Sequence, residues 1–547
     1  MAASDSRIDA HGGRIAVEVA RRHGVDIMWT LSGAHVFPMF DGAVTAEPPM
    51  RLIDVRHEQT AVFAAEATAK LSRHPGLAVL TAGPGVTNGI SAIISAHFNA
   101  SPLLVVGGRA PRSRWGFGAL QELDHPPLLA TVTKYAGTVD EVGALGASVD
   151  DALTLANTPH RGPVFLDVPM DEFFAVAGTD LPTVRPPVAV PPDLDAIERV
   201  TGLLRAARRP VLVLGSDVWC GGAEVAARRA AEALRLPVIP SGMGRGIVPS
   251  GHDLLITSAR GFALRRADLV IVAGAPLDFR LGFGIFGAQD HPAQVVHLAD
   301  AADQIARHVP LDGAVSGDLT LIFDALLDAR PGTDPTWIPS LREAVSATAK
   351  SDGALLSADA TPIHPARIYG ELRRHLADDA VVIGDGGDFV SFAGKYVEPT
   401  RPGGWLDPGP YGCLGTGLGY AMAARIARPS SQVVLLLGDG AAGFSLMDVD
   451  TLVRHRLPIV MIVGNNGIWG LEKGPMQMLY GYDVAADLQP QCRYDEVVRA
   501  LGGAGEMVTD PGQIGPALRR AFAANMPYLV NAITDPAAAY PRQTLGI

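Results

Sequence analysis

Two short polar groups near the C-terminal end of the chain carry the strongest chemical signal. Gly438-Asp439-Gly440 follows the apolar run Val433 to Leu437, and Asn465-Asn466 follows a second run, Ile459 to Val463. The 24 residues Ala441 to Gly464 separate the two groups. Both runs read as buried parallel strands, with Ser445 to Arg456 crossing between them as a helix. Two such strands end on the same edge of a sheet. There Asp439 offers a hard carboxylate oxygen and Asn466 an amide oxygen, donors that suit Mg2+. Gly440 has no Cβ to hold a phosphate away from the backbone. The positive end of the following helix adds attraction for an anion. Either group alone is an ordinary turn or polar loop. Together, at the spacing of one strand-helix-strand unit, they mark a place where a metal ion bridges the protein to a diphosphate.

The elements that must position this site can be read along the chain. Strand-like runs at Asp26 to Leu31, Arg51 to Val55, Ala78 to Thr81, Leu103 to Gly107 and Val164 to Val168 alternate with helical patterns. That alternation predicts a parallel, doubly wound α/β domain over residues 1–180. Leu181 to Asp195 holds Pro182, Pro186, Pro187, Pro191 and Pro192 and reads as a linker. A second α/β unit over residues 193–330 has strands near Val211 to Leu214, Pro237 to Pro240, Leu269 to Ala273 and Val295 to Leu298. Polar, proline-containing sequence from Ala329 to Pro339 leads to a third α/β domain over residues 355–547. The expected fold class is α/β, three doubly wound parallel-sheet domains, with no internal repeat visible in the sequence. Gly282, Gly284 and Gly287 form G-x-G-x-x-G, but the next element is the strand VVHL and not a helix, so no dinucleotide loop is expected there.

Composition excludes several classes. A chain of 547 residues with 48% hydrophobic content can bury several cores. Its apolar runs are far shorter than the roughly 20 residues of a membrane span, and MAASDSRIDAHGG carries no apolar signal core, so a cytoplasmic protein without membrane partners is expected. Net charge is -12 with no Lys/Arg block, which argues against nucleic acid as a partner. Cys220, Cys413 and Cys492 are too scattered for a zinc cluster or a disulfide framework.

Further motifs give the pattern a family likeness. Arg56-His57-Glu58-Gln59 lies between RLIDV and the helix-like AVFAAEATAKLS, Thr81 to Gly89 forms a GPG-x-TN loop, and Tyr411-Gly412-Cys413-Leu414-Gly415 precedes the GDG group. In this order, over nearly the whole chain, they resemble the thiamine-diphosphate enzymes of the acetolactate synthase, oxalyl-CoA decarboxylase and 2-hydroxyacyl-CoA lyase superfamily. The resemblance implies pyrimidine-binding, middle and diphosphate-binding domains. It implies thiamine diphosphate held by Gly33, Pro84, Asn88, Gly387, Asp388, Phe389, Gly412, Leu414, Gly438, Gly440, Ala441, Asn466 and Ile468, with Asp439, Asn466 and Ile468 as Mg2+ ligands. Glu58 would sit against N1' of the aminopyrimidine and shift it to its imino tautomer, so that the 4'-nitrogen takes the proton from C2 of the thiazolium. Leu414 aligns with the apolar prop that folds the cofactor into a V. In this family the pyrimidine is held by one subunit and the diphosphate by a neighbour, so at least a homodimer, and further a homotetramer, is expected.

The branch is read from finer detail. Gly467-Ile468-Trp469-Gly470-Leu471-Glu472 is similar to the NGIY or GGIY of the CoA-dependent members, and the QWEDR-like segment of acetolactate synthases is absent. Ala259 to Asp268 resembles ARS-x-AL-x-x-AD of the CoA enzymes, which bind ADP in the middle domain where the synthases bind FAD. The expected activity is that of a 2-hydroxyacyl-CoA lyase, releasing formyl-CoA and an aldehyde or ketone. A synthase acting on pyruvate and an oxalyl-CoA decarboxylase are the alternatives, so the substrate is an acyl-CoA or a 2-keto acid. Thr30 to His35, reading TLSGAH, replaces the family's GI-x-G-IPV-like turn, and Trp469 replaces its usual tyrosine, so the active centre is not a copy of either group. By homology His35, Gln121, Trp469 and Glu472 reach the reacting carbonyl as proton donors or acceptors. Arg245, Arg260, Arg265, Arg280 and Arg542 are candidates for the CoA phosphates, Arg260 and Asp300 for a bound ADP, and the tail with Tyr540 and Arg542 for a lid over the acyl-CoA mouth.

Overall fold

Aliphatic runs buried on both faces, such as Ile27–Thr30 and Gly76–Leu80, need helices on either side and pair as parallel strands. The computed structural model, which describes residues 7–185 and 187–540, contains three such sheets. The first has the spatial order Arg51–Asp54, Ile27–Thr30, Gly76–Leu80, Leu103–Arg109, Pro163–Pro169, Tyr135–Thr138, all parallel. The third has the order Trp405–Leu406, Val381–Asp385, Val433–Gly438, Val460–Asn465, Tyr528–Ile533, Ala504–Val508, again all parallel. Numbered along the chain, both sheets read 2-1-3-4-6-5. The sequence betrays no repeat, yet the two domains share one topology. The middle sheet runs Val238–Pro240, Pro210–Leu214, Leu269–Ala273, Gln294–Ala299, Gly313–Ser316.

Each sheet reverses its direction of growth between its first and third strands, and that switch point opens a crevice beyond the strand ends. Gly33 and Thr81 emerge at the first crevice, Ser216 and Gly274 at the second, and Gly387 and Gly440 at the third.

The sequence reading missed the short strands Tyr135–Thr138 and Gly313–Ser316 and the antiparallel pair Arg7–His11 with Val176–Asp180, which are only partly buried and lack long apolar runs. The expected linker from Ala329 to Pro339 ends early. A 20-residue helix, Trp337–Leu356, begins inside it, because Trp337 and Leu341 pack into the middle-domain core and Pro339 is tolerated in a first helical turn. The helix after Val433–Gly438 starts at Asp439 and not at Ser445, running Asp439–Ser445 before Val449–Arg454. The glycines of G-x-G-x-x-G all have positive φ and lead into the hairpin Gly287–Ala288 with His291–Pro292, and no helix follows.

One hydrophobic core spans the first and third domains. Its centre is the contact between helices Glu58–Ser72 and Thr416–Ala427. Small residues, Ala61, Ala64 and Ala65 on one helix and Gly419 on the other, let the backbones approach closely. A Cβ at Gly419 would stand 3.0 Å from the Ala64 nitrogen and from the Thr60 carbonyl oxygen. Phe63 and Tyr420 meet edge to face with ring centres 6.2 Å apart. The ion pair Lys70–Glu66, 2.9 Å, is buried there, and the Lys70 ammonium also donates to the Tyr420 hydroxyl. Gly419→Val should cost about 1–3 kcal/mol through overpacking and lower the thermal midpoint by several degrees. Gly394→Ala, where an added methyl meets nothing within 4 Å, serves as the neutral control. Equal midpoints for the two variants would remove this packing argument.

Candidate active site

At the third crevice Asp439 is 3% exposed. Its Oδ2 accepts the Gly467 N–H at 2.6 Å, and its Oδ1 accepts the Gly440 N–H at 3.0 Å, so the two turns found in the sequence are fastened to one carboxylate. Burial pushes this carboxyl up to about 6, against the pull of those N–H donors. The Asn466 amide oxygen accepts the Ile468 N–H at 3.2 Å. The short bridge of Ile468 to Asp487 uses the carbonyls of Gly467 and Ala486, not that of Ile468. Asp439, Asn466 and the Ile468 carbonyl thus form a hard-oxygen set that fits Mg2+ chemically. A cavity of about 80 Å3 lies against them, lined also by Gly387, Asp388, Phe389, Leu414, Gly438, Gly440, Ala441, Trp469 and Glu472.

Two glycines here make room for side chains. The Trp469 ring covers Gly440, where a Cβ would come within 2.4 Å of it, and Leu471 covers Gly387 in the same way. Trp469 therefore stands over the GDG turn, and Glu472 lies exposed in the first turn of Gly470–Tyr480. Gly412 does not line the cavity. It takes φ +73° in the turn leading to Leu414. Tyr540 is docked at this edge, its N–H donating to Asp388 Oδ1 at 2.9 Å and its ring packed on Phe392. Arg542 lies outside the described residues.

At the first crevice Gly33 packs so closely on Thr81 that a Cβ would stand 2.3 Å from it. His35, 5% exposed, shares a 3.2 Å hydrogen bond between Nδ1 and Thr81 Oγ1, and burial holds its imidazole below the ordinary value. It is thus neutral at pH 7. Glu58 opens helix Glu58–Ser72, is 7% exposed, and accepts a 3.0 Å bond from Asn88 Nδ2. Asn88 comes from helix Pro84–Phe98, with Pro84 at its first position, where a missing N–H costs nothing. Gln121 adopts a left-handed conformation, φ +61°, and packs on Gly83. Gly33, His35 and Gln121 thus gather on the turn from Thr81 to Pro84, and Glu58 is bonded to Asn88 of the helix that this turn opens.

Family models match all three domains. The thiamine pyrophosphate enzyme N-terminal TPP binding domain covers residues 10–128, the central domain 197–326, and the C-terminal TPP binding domain 385–532. A probable acetolactate synthase of Mycobacterium bovis is 48% identical over 98% of this chain and 97% of its own length. The 2-hydroxyacyl-CoA lyase 2 of Caenorhabditis elegans is 34% identical over 92% of this chain and 86% of its own, and that of Homo sapiens 32% identical over 91% and 85%. The chain belongs to the thiamine pyrophosphate enzyme family.

Thiamine diphosphate is accordingly the cofactor of this enzyme, and the oxygen donors and small residues at the third crevice fit its diphosphate end. About 80 Å3 is a shelf and not a pocket enclosing a whole coenzyme. Residues 386–472 line that shelf, so within one chain the first crevice does not contribute to it. The two domains do touch beside it, since Gln59 Nε2 donates to the Leu414 carbonyl at 3.3 Å.

The larger cavity, about 650 Å3, lies elsewhere, at the second crevice, where Ser216, Asp217, Asp303 and Gln304 meet Phe98 of the first domain and Tyr411 of the third. Its position corrects several expectations. Asp300 is turned into the protein, paired with His160 at 2.9 Å and Arg161 at 3.7 Å, and Asp303 and Gln304 line the cavity in its place. Burial, with Asp300 beside it, pushes the Asp217 carboxyl up to about 7. Arg245 is a clamp between domains, donating to the carbonyls of Gly394 and Val397 and lying over the Trp405 ring. Arg260 donates to the Arg280 carbonyl, and Arg280 pairs with Asp278 at 2.7 Å. Only Arg265, exposed at a helix end, is without such a commitment among the described arginines proposed for CoA phosphates.

Sequence reasoning overlooked Asp385. It is fully buried, and its two oxygens accept the N–H groups of Gly415 at 3.1 Å and Gly417 at 2.8 Å, fixing the helix start that carries Leu414. The one signal was an aspartate ending the apolar run Val381–Asp385. Burial outweighs both donors and pushes this carboxyl from 3.8 up to about 7. The folded state therefore keeps a proton that the unfolded chain releases. The group's stabilising contribution is complete below pH 3.8 and lost as pH rises through about 7, by at most roughly 1.4 kcal/mol per pH unit. In urea denaturation, the stability advantage of wild type over Asp385→Asn should shrink across that window. A constant difference would contradict the assignment.

Proposed function

We propose that this thiamine-diphosphate enzyme makes or breaks the carbon-carbon bond of a 2-hydroxyacyl unit. The reading is supported above all by the two strand-end crevices, one presenting Glu58 beside Asn88 and the other Asp439 beside Asn466. When bound, the coenzyme supplies a nucleophilic thiazolium carbon. Glu58 holds a carboxyl against its aminopyrimidine, with one oxygen oriented by Asn88. Asp439, Asn466 and the Ile468 carbonyl hold Mg2+, and Gly438, Gly440 and Ala441 receive the diphosphate. Gly387, Asp388 and Phe389 close one side of that end, and Leu414 props the rings. Neutral His35 gives or takes a proton at the oxygen of the reacting carbonyl, and Gln121 hydrogen-bonds to it. Because the shelf lacks first-domain residues, a second copy brings its Glu58 edge to it, in a homodimer at least and in a dimer of dimers as the full assembly.

Two substrate classes have support. A 2-hydroxyacyl-CoA, cleaved to formyl-CoA and an aldehyde or ketone, is favoured by Gly467-Ile468-Trp469 and by the 2-hydroxyacyl-CoA lyase 2 relatives. A 2-keto acid such as pyruvate is favoured by the 48% identity to a probable acetolactate synthase and by the internal engagement of Arg245, Arg260 and Arg280. The 650 Å3 cavity is the place for the ADP of the first class or the flavin of the second. A cytoplasmic location accords with three free cysteines and with the lack of any helix, among the described residues, long and apolar enough to cross a membrane.

Turnover of pyruvate against a panel of 2-hydroxyacyl-CoA thioesters decides between the classes, with yellow, flavin-bearing protein expected for the synthase and colourless protein with ADP for the lyase. Glu58→Gln should lower turnover by about 100-fold or more while leaving the thermal midpoint unchanged. Wild-type turnover in that variant would refute the role of Glu58. Asp439→Ala should weaken Mg2+-dependent coenzyme binding at least tenfold in calorimetry, and unaltered binding would reject it as a metal ligand.

A further inference from the structure

We infer that His125 is a positioning residue that sets the Gly83 turn and, through it, Gln121; its link to catalysis rests on the reading of the first crevice given above. His125 is fully buried and lies between two groups of fixed character. Its Nε2 is 3.0 Å from the Gly83 nitrogen, and its Nδ1 is 3.0 Å from Asp167 Oδ2. A backbone N–H only donates, so Nε2 must be the bare acceptor. The proton then sits on Nδ1 and donates to the carboxylate, which makes the ring a neutral imidazole in one defined tautomer. A second proton would set N–H against N–H at Gly83.

The anchor behind the ring is itself held. Asp167 is fully buried, and the same Oδ2 accepts a 2.8 Å bond from Arg109. Arg109 also bonds Asp124 at 2.9 Å and stacks on Trp115, 3.8 Å from its ring. Both ends of the segment from Trp115 to His125 are thereby tied to the strand ends Leu103–Arg109 and Pro163–Pro169. Between those ties stands Gln121. It faces Gly83 so closely that a Cβ on that glycine, which has φ +58° and ψ -114°, would come within 2.9 Å of the Gln121 Cβ. The imidazole therefore fixes one side of the Gly83 turn and Gln121 packs on the other, and a shift of the turn displaces the glutamine.

Amide hydrogen exchange on the full-length protein tests the positioning without reference to any substrate. In His125→Leu, which keeps an apolar body but offers no acceptor, exchange in peptides covering residues 81–90 and 115–125 should quicken at least tenfold. In His125→Gln, whose side-chain oxygen can take the Gly83 N–H, it should stay near wild type. Unchanged exchange in His125→Leu, equal acceleration throughout the first domain, or identical behaviour of the two variants would overturn the inference. For the catalytic link, kcat on whichever substrate the panel identifies should fall at least tenfold in His125→Leu with KM and coenzyme affinity within about threefold, and should recover in His125→Gln. In a Gln121→Ala background the His125→Leu loss should largely vanish, whereas full additivity would disprove action through Gln121. If Gln121→Ala alone leaves kcat unaltered, the reading of the first crevice fails while the exchange result still judges the positioning.

Discussion

The close approach of helices Glu58–Ser72 and Thr416–Ala427 is the contact on which the rest of the site depends. Each helix begins at or just after a residue to which the proposed function gives a task, Glu58 in the first case and Leu414 in the second. A helix start can be held to a fraction of an ångström only if its axis is fixed, and here the alanine and glycine face gives that fixity by excluding any side chain between the backbones. Polar groups complete the seam. Asp448 of the third domain accepts the Arg56 N–H at 2.8 Å and the Thr60 hydroxyl at 2.7 Å, satisfying donors at the start of the Glu58 helix. Asn99 donates to Glu66 and to the Pro408 carbonyl, tying the same seam to the loop that leads to Leu414. Buried polar networks of this kind favour one arrangement over its neighbours.

The shared topology of the first and third sheets explains why their chemistry falls where it does. A parallel sheet grown outward from its first strand leaves a crevice at the reversal, and the loops beyond it carry backbone N–H groups that no strand consumes. In the third domain those groups meet Asp439 and the hard-oxygen set, and a cation there would offset the cost of burying a carboxylate. In the first domain the equivalent edge presents Glu58, His35 and Gln121. In the function proposed above, two copies of one architecture serve as a diphosphate shelf and a proton-handling edge through the side chains placed at equivalent ends.

The middle domain opens the same crevice and fills it differently. Its cavity holds about 650 Å3, yet much of the charge around it is already engaged. His160 and Arg161 neutralise Asp300, Asp278 neutralises Arg280, and Arg245 is spent on carbonyls of the third domain. Arg245 is 7% exposed, and swinging it out to a phosphate would leave those two carbonyls unpaired. The sequence counts cations, whereas the fold shows which of them are already committed.

The sequence by itself determined the elements of strong local character. Aliphatic runs marked the central strands of all three sheets, and the pairing of Gly438-Asp439-Gly440 with Asn465-Asn466 located the third crevice, because both depend on periodicity and spacing along the chain. Glu58 was singled out by the likeness of Arg56-His57-Glu58-Gln59 to a family segment, and it does open a helix that follows a strand. Only the tertiary structure decided the rest. Short, half-exposed strands such as Tyr135–Thr138 take their conformation from a neighbour and not from their own residues. Asp385, Asp448 and His125 acquire their roles from backbone N–H groups between 30 and 392 residues away, distances over which a one-dimensional pattern carries no information. The fates of Arg245 and Asp300 were settled likewise, because which partner a charge meets is a property of packed surfaces and not of the order of residues.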